Sequence, residues 1–290
     1  MNNIVTIVAA KNFTIESFIT NKILEILDLP QNSKEILKLN QAYDFNTKGI
    51  TKEQEQAIIH FLNEYPIDSF FLNENYRTDK KLLLSDMDAT LIENECIDEI
   101  ARHIGKYDEI AKITEQAMNG ALLFEGSLEQ RVALLEGVSK EDLEVIYNRD
   151  IKINDGVVFT AEILKQKSVH LVIVSGGFTY FCQRLAQDIK FDECFANELI
   201  FANNKMTGSV KKPVFSSISK AEVLEKLMQE KSVNKDQVIA IGDGANDLPF
   251  LSKVPFSIGY KAKPIIQKQV KFNIIHSDYS AILFILGHKF

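Results

Sequence analysis

Leu82-Leu83-Leu84-Ser85-Asp86-Met87-Asp88-Ala89-Thr90-Leu91-Ile92-Glu93-Asn94-Glu95 is the stretch from which the fold can be read. The three leucines predict a short buried strand, because a strand covered on both faces of a parallel sheet is a continuous apolar run. Polarity then changes abruptly. Asp86 and Asp88 follow the strand with Met87 between them, and in open α/β sheets the ligand sits beyond the carboxyl ends of such strands. Two carboxylates there are costly unless something neutralises them, and a hard cation such as Mg2+ would do so. An isolated Asp-x-Asp can also simply begin a turn or cap a helix, so other segments must decide.

Two further runs have the same form. His170-Leu171-Val172-Ile173-Val174 reads as a second buried strand that stops at Ser175-Gly176-Gly177, with a helix from about Thr179. A Ser-Gly-Gly opening to a helix offers backbone N–H groups, a hydroxyl and a positive dipole end, which suit phosphate, although turn-forming glycines would look the same. Val238-Ile239-Ala240-Ile241 reads as a third, running into Gly242-Asp243-Gly244-Ala245-Asn246-Asp247. Ahead of it, Ser219 starts an amphipathic helix with Lys220 in its first turn, where the dipole prefers anions; that misplacement hints that the lysine points at an anion. If the three strands are parallel neighbours, their ends meet in one crevice. Carboxylates, a divalent cation and phosphate-binding donors together describe phosphoryl transfer.

Residues 94–150 read as a run of helices inserted directly after the acidic strand end, placed to overhang the crevice as a lid. The α/β pattern resumes near Gly156, with a helix over Val157–Lys167. Phe195–Phe201 and Lys205–Val210 flank Ala202-Asn203-Asn204 and predict a β-hairpin. Residues 1–78 alternate strand and helix in the order β-α-β-α-β, with Ser33–Tyr43 as one strand and Thr51 as a helix N-cap, which suggests a separate small α+β domain of unassigned role. Residues 79–290 then form the catalytic domain, and Asn73–Lys80 is a polar linker.

The 290 residues are 46% apolar and 25% charged, as in an ordinary soluble protein, and the net charge of −7 argues against a nucleic-acid footprint or a hold on anionic lipid. Cys96, Cys182 and Cys194 lack metal-ligand spacing and read as small core residues of a reducing, cytoplasmic protein. No apolar run approaches the ~18 residues of a membrane span. The start, Met1 to Ala10, has no basic region and reads as a strand rather than a signal peptide.

Asp86-Met87-Asp88-Ala89-Thr90, Ser175-Gly176-Gly177, Lys220 and Gly242-Asp243-Gly244-Ala245-Asn246-Asp247 resemble, in order, the motifs of the haloacid-dehalogenase (HAD) superfamily of aspartate-nucleophile phosphatases. Within it the phosphoserine phosphatase family is the nearer match, carried by Asn94 to Ala101, Ser127-Leu128-Glu129-Gln130-Arg131-Val132, Ser175-Gly176-Gly177-Phe178 and Phe195-Ala196-Asn197-Glu198-Leu199. The resemblance covers about residues 80–290; Ala89 replaces a common serine, and Asn154-Asp155-Gly156 replaces the usual Pro-Gly turn. It implies an α/β fold: a Rossmann-like parallel-sheet core, a helical cap inserted after its first strand, and a small N-terminal domain loosely similar to ACT domains.

The resemblance also implies roles. Asp86 would be the nucleophile and Asp88 the general acid and base, with Mg2+ held by Asp86, the backbone carbonyl of Asp88, and Asp243. Ser175 and Lys220 would bind phosphoryl oxygens, Asn246 would orient substrate or water, and Asp247 would hold the metal's outer shell or Lys220. For a phosphoserine substrate, Glu95 would take the ammonium, Arg131 the carboxylate and Gly176 a backbone contact, with Met118 and Phe124 as apolar wall. Transfer of the phosphoryl group to homoserine, hydrolysis of another small monoester, and a non-catalytic amino-acid sensor are the competing readings. The expected partner is a small molecule, with no nucleic acid and no membrane; a homodimer stays open.

Overall fold

The computed structural model describes residues 3–118 and 123–290, the side chain of Met118 excepted. The chain opens with β1 (Asn3–Ala9), α1 (Ser17–Leu27), β2 (Lys34–Lys38), β3 (Ala42–Thr47), α2 (Lys52–Leu62) and β4 (Ile67–Asn73). These strands form one antiparallel sheet in the order β2-β3-β1-β4. The single strand expected over Ser33–Tyr43 is instead a hairpin of β2 and β3. Asn40 takes a left-handed φ of 59° in the turn, a conformation asparagine tolerates better than most residues. The expected cap of α2 is present: the Thr51 side chain accepts from Gln54 N at 3.2 Å, and Gln54 Oε1 accepts from Thr51 N.

Alternation along β1 sends its side chains to two different interiors. Val5, Ile7 and Ala9 pack under α1 and α2, whereas Ile4 and Val8 face the larger sheet and share its core with Phe272, Phe284 and Ile285. Thr6 lies on that second face and donates to Asp44 Oδ1 at 2.6 Å. Arg77 closes the group, bonding both Asp44 oxygens and the carbonyls of Phe284 and Ile285. The segment expected as a polar linker is therefore fastened into the interior.

The core follows: β5 (Leu82–Ser85), then α3 (Cys96–His103), α4 (Tyr107–Met118), α5 (Phe124–Ala133) and α6 (Lys140–Asp150), and then α7 (Val157–Gln166), β6 (His170–Phe178), α8 (Thr179–Asp188) and β7 (Glu193–Asn197). A hairpin of β8 (Leu199–Ala202) and β9 (Lys205–Val210) precedes α9 (Ser217–Glu230), β10 (Val238–Gly242), α10 (Leu248–Leu251), β11 (Ser257–Tyr260), α11 (Pro264–Gln267), β12 (Phe272–Ile274) and α12 (Ala281–Ile285). The six-stranded sheet is parallel throughout, in the order β12-β11-β10-β5-β6-β7. The three apolar runs of the sequence are thus adjacent strands. Strand order reverses around β5, which creates the kind of crevice where ligands bind in such sheets.

Two expectations about β6 and β7 need correction. The second strand does not stop at Ser175: β6 stays extended to Phe178, with a register shift against β7 between Val174 and Phe178. Ser175-Gly176-Gly177 is therefore a bulge inside a strand, which re-aims the chain toward the crevice. Asn197 holds it, donating to the carbonyls of Gly176 and Phe215 and accepting from Phe215 N. Phe195–Asn197 belongs to β7 of the main sheet, so only β8 and β9 form the hairpin. The helices α3–α6 leave and rejoin the core through a narrow neck, where Ile92 pairs with Ile153 and Asn154 N donates to Leu91 O at 2.9 Å.

Candidate active site

The ends of β10, β5 and β6 open into a cavity of about 450 Å3, walled on its far side by α3, α4 and α5. At its floor, Lys220 is 1% exposed and lies between two carboxylates, 2.8 Å from Asp86 Oδ1 and 2.7 Å from Asp247 Oδ1. Its place early in α9, unfavourable for the dipole, is explained by these anions. Burial pulls the ammonium's pKa down, but Asp247 and Asp86 outweigh it and hold Lys220 charged.

Asp247 is fully engaged, since Oδ2 accepts from the backbone N–H groups of Asp243 and Gly244. A Cβ at Gly242 would lie 2.3 Å from that Oδ2, so only glycine lets the loop close on the carboxylate. Asp86 Oδ1 also accepts from Met87 N at 2.8 Å. Three groups remain open. Among the described residues, Asp86 Oδ2, the Asp243 carboxylate and the Asp88 carbonyl accept no hydrogen bond. One oxygen each of Asp86, Asp243 and Asp247 lies within 4.8 Å of the others. With Asp247 committed to Lys220, the open hard oxygens belong to Asp86, Asp88 and Asp243, and such a donor set suits a small divalent cation. Burial first, and then Asp247, push the Asp86 carboxyl well above its usual range, with Lys220 opposing. The same two causes push Asp243 to about 6.

Asp88 faces the floor from the turn after β5. Its Oδ1 accepts from Cys96 N at 2.9 Å, and its Oδ2 lies 3.3 Å from Ser175 Oγ, which itself accepts from Gly177 N. A Cβ at Gly177 would come within 2.6 Å of Asp88 Oδ2. Ala89 takes a left-handed φ of 52° in this turn.

The helices supply the opposite wall. Glu95, Arg131, Phe124, Ser127 and Leu128 line the cavity together with Gly176, Asn246 and Lys263. Glu95 is open to the water of the cavity yet ringed by protein, and this enclosure, followed by Asp88 and Asp243, pushes its carboxyl to about 8. Arg131 is lowered by burial, against the pull of Glu95 and Asp98. A Cβ on Gly176 would meet the Phe124 ring at 3.4 Å, so the aromatic wall reaches the bulge of β6. The side chain of Met118 lies outside the described residues. Every other residue singled out from the sequence meets here. Lys263 was missed: it follows a four-residue strand and carries no motif of its own, yet its backbone N–H donates to Asp243 O at 3.0 Å and its ammonium opposes the acids of Asp243 and Glu95.

Residues 83–252 match the haloacid dehalogenase-like hydrolase family. The chain belongs to that family and is a hydrolase. Its relatives point further. It is 39% identical over 204 residues to a phosphoserine phosphatase of Methanocaldococcus jannaschii, covering 70% of this chain and 96% of that one. A phosphoserine phosphatase of Archaeoglobus fulgidus is 38% identical over 192 residues; this match covers 66% of the chain but only 56% of that longer relative. The crystal structure of a HAD family hydrolase from Salmonella enterica serovar Typhi superposes with a TM-score of 0.87 at 28% identity, covering 100% of this chain and 99% of that one. The architecture as a whole, including the N-terminal sheet, is therefore shared with a solved protein.

Proposed function

We propose that this chain hydrolyses O-phospho-L-serine to L-serine and phosphate, with Mg2+ as cofactor and an aspartyl-phosphate on Asp86 as intermediate. This would make it the last enzyme of L-serine biosynthesis, acting in the cytoplasm. The observation that carries the proposal is the division of the cavity: a Lys220-bridged carboxylate floor on one side, Glu95 and Arg131 on the other. A substrate with a phosphate at one end and an ammonium and a carboxylate at the other is complementary to both walls. The names of the relatives support the same substrate.

Asp86 attacks phosphorus in line, and the ester oxygen leaves. Asp86, Asp243 and the Asp88 carbonyl would hold Mg2+, which would supply charge relief and keep Asp86 ionised against the burial that raises it. Asp88 protonates the departing alkoxide and then accepts a proton from the water that cleaves the aspartyl-phosphate. Lys220 and Ser175 hold phosphoryl oxygens, and Asn246 orients substrate or water from the mouth. Glu95 takes the ammonium, Arg131 the carboxylate, and Gly176 a backbone contact.

Phosphate release from L-phosphoserine with and without Mg2+ is the direct test. Asp86→Asn is expected to lower kcat by about 10^4 or more while keeping the fold, the loss seen when a nucleophile is removed. Near-normal turnover by that variant would remove the nucleophile assignment. Product analysis with homoserine present separates hydrolysis from transfer.

A further inference from the structure

Ser127 is a buried hydroxyl that the mechanism above does not use. It is 1% exposed, on the cavity side of α5. Four buried side-chain polar atoms have no hydrogen-bond partner among the described residues: Thr90 Oγ1, Ser127 Oγ, Tyr260 Oη and Asn273 Oδ1. Only Ser127 belongs to the wall of the cavity. A helical serine can usually bond the carbonyl one turn back, or turn toward solvent. This one does neither, so its donor is left unspent on a residue that lines the cavity. Leaving such a group unpaired in a folded interior is unfavourable, and native proteins rarely do so without cause.

Its neighbour indicates what the hydroxyl meets. Arg131 lies four residues on, on the same face of α5, and its Nε donates to the Ser127 carbonyl at 3.3 Å. That bond ties the guanidinium to the turn that carries the hydroxyl. A carboxylate has about four lone-pair sites, and an arginine fork fills two of them. We propose that Ser127 Oγ donates to the substrate carboxylate beside Arg131, which makes it a specificity-determining residue for amino-acid phosphate esters over simple ones. This rests on the reading of the cavity as a phosphoserine site.

The test is Ser127→Ala, with kcat and KM measured for O-phospho-L-serine and for O-phosphoethanolamine, which keeps the ammonium but lacks the carboxylate, together with Tm. A hydrogen bond to a charged acceptor corresponds to roughly a ten-fold change or more. We expect KM for phosphoserine to rise about that much with kcat within two-fold, and phosphoethanolamine kinetics to stay as in the wild type. Tm should hold or rise, because the variant removes an unpartnered buried hydroxyl. An equal effect on both esters, no effect on either, or a fall in Tm with the ratio between esters unchanged would overturn the role of Ser127. Wild-type protein that does not turn over phosphoserine at all would overturn the substrate assignment as well, so the two failures are told apart by the unmutated control.

Discussion

At the scale of single residues, the cavity holds acids whose titration is displaced toward neutrality. Glu95 stands near 8 and Asp243 near 6, both raised chiefly by enclosure and by neighbouring carboxylates. Unfolded, such carboxyls titrate near 4. Between about pH 4 and 8 the folded, metal-free protein therefore binds more protons than the unfolded chain, so its stability falls as pH rises. In a chelating buffer, Tm is expected to decline from pH 5 to 8; in Glu95→Gln the decline should be shallower over pH 6–8. A wild-type Tm that is flat or rising over pH 6–8 would contradict this. The candidate residues of the floor stood out in the sequence because their types are out of place: acids directly after apolar strands, and a lysine where a helix prefers an anion; Glu95 and Arg131 stood out only through the family resemblance. Ser127 and Lys263 gave no such signal. A serine inside a helix and a lysine in a polar loop are ordinary in sequence, and only the walls around them make them unusual.

At the scale of elements, the least legible feature was the bulge in β6. Ser-Gly-Gly reads locally as a turn, and only pairing with β7 and the clamp of Asn197 keep it extended. The same blindness split Ser33–Tyr43 into two strands, since its weak pattern did not reveal the turn at Asn40. The bulge leads to a prediction. Gly177→Ala would drive a methyl to within 2.6 Å of Asp88 Oδ2 and displace the carboxylate that must reach the leaving oxygen. A misplacement of about 1 Å can cost on the order of 100-fold. We expect kcat for phosphoserine to fall by that order, with Tm lowered by only a few degrees. Unchanged kcat would show that the turn after β5 absorbs the methyl without moving Asp88.

At the scale of the whole molecule, the alternation of strands and helices was enough to read two sheets, but not how they are joined. The joint uses residues that look like surface polar positions. Asp68, on β4, accepts from the backbone N–H groups of Ile275, His276 and Ser277, and Arg77 links Asp44, on the same face of the small sheet, to the carbonyls of Phe284 and Ile285. Phe70 of the small sheet meets Phe272 of the large one edge-on, with ring centres 6.2 Å apart. Neighbouring domains commonly move and melt independently unless the contact between them is extensive and apolar. Here one interior runs through both layers, so neither can loosen without uncovering the other. A scanning calorimeter should accordingly record a single endotherm whose van't Hoff and calorimetric enthalpies agree; two resolved transitions would mean that the layers are autonomous. The same continuity ties the pocket to the small sheet: heat that melts its strands would end turnover in the same step, with no effector bound.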